Sequence, residues 1–174
     1  MVKRYRLTTP RLRLIVGGGA LALALLALVI LGTEQFDTWR FLSLVVPDRV
    51  VLLTNQERAA QALPALVTNE RLTKAAQAKA DDMAARGYFS HTTPEGRTPW
   101  YWLEQAGYSY GQAGENLAVN YYESETVTTA WMQSPAHRAN ILRPEFSEIG
   151  IGVARGEYQG APALFVVQFF GRPQ

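Results

Sequence analysis

At 174 residues, nearly half of them apolar, the chain is long enough for one globular domain with a sizeable core plus an appendage. It contains no cysteine, which excludes disulfides, a thiolate nucleophile, a lipidated N-terminal cysteine and cysteine-ligated zinc. The net charge of +2 is unevenly spread: residues 1–46 hold six basic and two acidic side chains, residues 47–174 eleven and thirteen, and this larger part lacks the basic stripe with interleaved aromatics of a nucleic-acid surface, so no nucleic-acid partner is expected.

Residues 1–13 are short and basic. Residues 14–31, LIVGGGALALALLALVIL, form an uncharged run of 18, near the lower limit for a membrane-spanning helix. The apolar region of a cleaved signal peptide is shorter, about 7–15 residues, and Gly-Thr-Glu at 32–34 makes a poor cleavage site, so the run reads as a signal-anchor helix rather than a removed leader. Five basic residues precede it, and Glu34 and Asp37 follow it, which places the N-terminus in the cytoplasm and the remainder outside, in a single-pass arrangement. Residues 32–46 read as a connector. Phe36, Trp39, Phe41 and Leu42 suit a membrane interface, a continued helix or packing on the domain equally well.

Pro47 opens the domain, 47–174. Leu52, Gln56, Ala59, Ala60 and Leu63 lie at helical spacing, and Pro64 ends that helix. Asn69 can cap a second helix with Leu72, Ala76, Ala80 and Met83 on one face, stopped by Gly87. Residues 88–98 form a polar turn segment containing His91. A third helix begins at Thr98-Pro99, bears Trp102 and Leu103, and ends at Gly107. The stretch GYSYGQAGENLAVNYYES reads as loop or extended chain. Ser124 can cap the helix that carries Val127 and Trp131, one turn apart and best read as core. Ser134-Pro135 interrupts it and starts a short helix to about Leu142, with Pro144 blocking continuation. His137 falls in its first turn, where the partial positive charge of the helix start disfavours imidazolium. Residues 148–154 alternate Ile149, Ile151 and Val153 with Gly150 and Gly152, a strand with room for close backbone approach. GEYQG is a turn, and ALFVVQFF at 163–170 is a central strand. Helices first and a small sheet last predict a layered α+β fold with an antiparallel sheet.

The chain has two histidines, His91 and His137, both beside turns, and Glu115 lies between glycine and asparagine in AGENLA. Two imidazoles and a carboxylate suffice for a three-ligand metal site with an open position, or for an acid/base pair. They are equally compatible with local hydrogen bonding. Ser90 and Ser134 adjoin turns but lack the glycine-flanked elbow of a serine hydrolase. Glu123 and Glu125 suit the first turn of a helix. Tyr108, Tyr110, Tyr121 and Tyr122 can line a groove or cover the core edge.

Taken together, LTNQERAAQALPAL, LTKAAQAKADDMAARGYFSHTTPEGRTP, AGENLA, AWMQSPAHRANIL, FSEIGIGVA and VVQFFG, in this order, resemble the bacterial branch of the CAP superfamily, the SCP/PR-1-like domains related to cysteine-rich secretory proteins. The likeness covers 47–172. It implies a three-layer α-β-α sandwich with a small antiparallel sheet and a long cleft, and an extracytoplasmic location. It also implies a cleft in which two histidines and two glutamates can hold a divalent cation such as zinc, calcium or magnesium. His91 matches the first histidine, Glu115 the first glutamate and His137 the second histidine. Ser134 stands where the second glutamate belongs, and Ala62 where a glycine is usual. The resemblance leaves three readings open: a ligand-binding module for lipid, wall material or protein, a metal-assisted hydrolase or protease using His91, Glu115 and His137, and a purely structural interaction domain.

Overall fold

The computed structural model describes residues 45–174. The basic segment 1–13, the span 14–31 and residues 32–44 of the connector lie outside the described residues. Among the described residues, no helix is long and apolar enough to cross a membrane.

Helix α1 is Pro47–Ala59, with proline in its first turn, Asp48 near its start and Arg58 near its end, each favourable to the helix dipole. Strand β1 is Val67–Thr68. Helix α2, Glu70–Arg86, begins as expected: Asn69 Oδ1 accepts from the backbone N–H of Arg71 at 2.9 Å and of Leu72 at 3.3 Å. It ends at Gly87, whose φ of 65° is the left-handed conformation that glycine adopts without strain. Helix α3 is Trp100–Gln105, β2 Tyr110–Val119, α4 Ser124–Gln133, α5 Pro135–Ile141, β3 Glu148–Tyr158 and β4 Ala161–Pro173.

The sheet order is β1-β3-β4-β2. β4 pairs antiparallel with both β3 and β2, but β1 pairs parallel with β3, so the sheet is not wholly antiparallel. The parallel pairing is short because it is made by the two residues leading into α2. Along β4 side chains alternate between two cores, the signature of a sheet covered on both faces. Leu164, Val166 and Phe170 join Val50, Val127, Trp131, Ile141, Phe146, Ile149 and Ile151 on the face of α1, α4 and α5. Ala163, Phe165, Val167 and Phe169 join Leu72, Ala75, Ala76, Ala80, Met83 and Leu103 on the face of α2 and α3. Trp131 is buried, and its indole Nε1 donates to Leu117 O at 3.0 Å, so it belongs to the core. Helix α2 lies directly on β3: a Cβ on Gly150 would stand 2.2 Å from the Leu72 carbonyl carbon, and one on Gly152 2.2 Å from that of Ala76.

Residues 110–119, loop or extended chain from sequence, are a strand, because Tyr110 to Val119 pair along β4. Three local expectations are corrected. Helix α1 buries Val50, Thr54 and Arg58, while Leu52, Gln56, Ala59 and Ala60 face outward. The polar members of that inner face are satisfied: Arg58 donates to the carbonyls of Pro64, Ile141, Arg143 and Phe146, at 2.8–3.2 Å. Ser124 is the first helical residue rather than the cap, and its Oγ accepts from Val46 N–H at 3.0 Å. Finally, β3 runs on to Tyr158, leaving Gln159 and Gly160, with φ of 54° and 76°, as a two-residue hairpin turn.

Candidate functional site

β2 is an outer strand of the sheet. Glu115 lies on this strand, opposite Phe169 of β4, and not in a loop. Its residue is buried at 6% exposure, whereas the His91 side chain is 58% exposed. Glu115 Oε2 lies 2.6 Å from His91 Nδ1. A carboxylate oxygen accepts in this pair, so a proton sits on His91 Nδ1.

The other oxygen, Oε1, lies 2.7 Å from Nζ of Lys79. Lys79 comes from α2, its side chain is 0% exposed, and its ammonium also donates to the backbone carbonyl of His91. Burial pulls the Lys79 pKa down, and the charge of Glu115 opposes that. One ammonium thus ties α2, the His91 loop and β2 together. The composition of α2 contained the signal for it: a single charged residue within a stripe of alanines, Leu72 and Met83.

His137 sits in the first turn of α5 and is partly buried. Its Nδ1 lies 2.9 Å from Ser134 Oγ, so Ser134 holds this ring and makes no side-chain cap to the helix backbone. Burial first, and the nearby charge of His91 second, lower the His137 pKa and favour the neutral ring. Each of the two histidines thus has its Nδ1 engaged.

A buried amide row, not anticipated from sequence, fixes α5 against the strand. Gln168 Nε2 donates to Thr54 Oγ1 at 2.9 Å, and Asn116 Nδ2 donates to Gln168 Oε1 at 3.0 Å. Asn116 Nδ2 also reaches His137 O at 3.2 Å, and Asn140 Nδ2 donates to Asn116 Oδ1 at 2.9 Å and to Glu115 O at 3.0 Å. Asn140 and His137 are one turn apart on α5, so the row sets how far His137 stands from Glu115.

The expected tyrosines mostly close the core. Tyr108 is buried and donates to Glu148 Oε2 at 2.6 Å; burial and then that carboxylate push its pKa up. Tyr110 packs on the α2 side, and Tyr122 on the opposite core. Glu125 pairs with Arg49 at 2.8 Å on the surface. A separate hollow of about 480 Å³ is lined by Met132, Pro135, Arg138, Leu142 and Arg143, and includes neither histidine.

The residues fit a three-ligand cation site poorly. Both oxygens of Glu115 already have partners, one of them a fixed cation, and Ser134 supplies no second carboxylate. Among the described residues, no group of three histidine or acidic side chains is arranged to hold a metal ion.

Comparison with known proteins gives a consistent picture. The model of the cysteine-rich secretory protein family, CAP, matches residues 51–170. The uncharacterised protein YkwD of Bacillus subtilis (strain 168) is 41% identical over 124 residues, covering 71% of this chain and 46% of that protein. The uncharacterised membrane protein YlbC of the same organism is 28% identical over 122 residues, covering 70% and 35%. The chain therefore spans less than half the length of these relatives. The crystal structure of an extracellular protein containing a SCP domain from Bacillus anthracis str. Ames aligns with a TM-score of 0.62 and 30% identity, over 72% of this chain and 40% of that one. NaASP2 with Zn2+ shares the fold at a TM-score of 0.51 and 14% identity, over 73% and 79%.

Proposed function

The chain belongs to the CAP, or cysteine-rich secretory protein, family, and from that premise we propose that residues 47–174 are an outward-facing ligand-binding module held at the membrane by residues 14–31. The engagement of Glu115 supports binding over hydrolysis. With Oε1 on Lys79 and Oε2 on His91, the cleft has no free carboxylate to deprotonate water. What it turns outward is the exposed edge of His91, with the partly buried His137 and Ser134 beside it. These groups suit a polar ligand such as a wall fragment, a lipid headgroup or a protein surface. Binding at them requires no divalent cation.

Acid/base hydrolysis is the second reading. A buried carboxylate behind an exposed imidazole is also how general bases are oriented. One assay separates the two. The full chain and His91→Ala are incubated with wall fragments, lipid vesicles, peptides and esters, and both retention and turnover are followed. Retention without turnover, weakened in His91→Ala, is expected. Turnover that disappears in His91→Ala would replace the binding reading with the hydrolase.

The anchor rests on the uncharged run 14–31 and its flanking charges, and a relative named as a membrane protein supports it. Protease added to intact cells should remove the domain. Protection of the domain, or its recovery free in the medium, would contradict the anchor.

A further inference from the structure

We infer that Lys79 is the resident cation of the cleft: its ammonium takes the place of a divalent ion beside Glu115, so that the carboxylate serves to orient His91 and not to ligate metal. The inference goes beyond the binding reading and does not depend on it, because it concerns the charge partner of Glu115 whatever the cleft binds.

Three observations converge. The Lys79 side chain is fully buried, and a buried ammonium is stable only with a charged or strongly accepting partner. Its partners are Glu115 Oε1 and the backbone carbonyl of His91, the two elements a metal would otherwise have to draw together. The second glutamate position is Ser134, whose Oγ holds His137. One fewer carboxylate and one built-in positive charge act in the same direction, since a divalent ion beside the ammonium would meet repulsion with less negative charge to offset it. The lysine also rises from α2, which is packed backbone to backbone on β3 at Gly150 and Gly152, so the ammonium is delivered from a rigid support.

The test uses the full chain, stripped with chelator, with zinc chloride as the probe and melting temperature and zinc stoichiometry as readouts. Wild type, Lys79→Met, Lys79→Met/His91→Ala and Lys79→Met/Glu115→Gln are compared. Lys79→Met lowers the melting temperature, because it strands a buried carboxylate. Zinc then restores it, with affinity on the order of tenfold above wild type, the scale on which one added carboxylate contact acts. His91→Ala or Glu115→Gln in that background abolishes the gain. Should Lys79→Met fail to fold, the neutral double variant Lys79→Met/Glu115→Gln decides: recovery of a folded protein upholds the charge pairing. Two results overturn the inference: a folded Lys79→Met with no gain in zinc affinity, or a double variant no more stable than Lys79→Met.

Discussion

His91, Glu115 and His137 stand out in the sequence because histidine is scarce and each lies beside a turn signal. Lys79 does not, although the structure places it at the centre of the site. It falls inside an apolar stripe, and a periodicity reading asks only which residues share a face, not what a charged member of that face is for. Asn116, Asn140 and Gln168 were illegible for a related reason: their value lies in a row assembled from β2, α5, β4 and α1, far apart in sequence. Ala62 is a plainer case. It adopts φ of 56°, in the left-handed region that favours glycine. A left-handed alanine costs roughly 1–2 kcal/mol, part of which glycine gives back through its freedom in the unfolded chain. Ala62→Gly is therefore expected to stabilise the domain by about 0.5 kcal/mol, measured by denaturant unfolding. The side chain is exposed, so no packing is lost. A loss of stability would show that the left-handed alanine carries no strain.

Helices were legible where caps and breakers mark them, as at Asn69, Gly87 and Pro135. β2 was not. YGQAGENLAV has two glycines, polar residues and little β-branching, and its strand character comes from pairing with β4 rather than from local preference. That pairing has a consequence for the site: Glu115 is held by a ladder of backbone hydrogen bonds and is not on a loop free to adapt. Helix α1 misled in the opposite sense. Its outward residues include the apolar Leu52, and its buried face carries Thr54 and Arg58, whose burial is stabilised by carbonyl acceptors that no periodicity reveals. The glycines of β3 were read correctly as points of close approach because a strand with glycine at alternate positions has few other uses.

At the scale of the whole molecule, the two-core layering follows from β4, whose side chains alternate between the two helical faces, while Lys79 of α2 and Asn140 of α5 both reach Glu115 on the outer strand β2. Among the described residues the one buried carboxylate, Glu115, is committed to a lysine and a histidine. The central claim is that binding occurs at His91, His137 and Ser134. The most direct measurement is an NMR titration of the isotopically labelled full chain with whichever wall fragment, vesicle or peptide is retained without turnover. The account predicts that the resonances of His91, Ser134, His137 and Asn140 move first and together, and that His137→Ala weakens the binding. Shifts centred on Met132, Arg138, Leu142 and Arg143, in the hollow apart from the histidines, with binding intact in His91→Ala and His137→Ala, would contradict it.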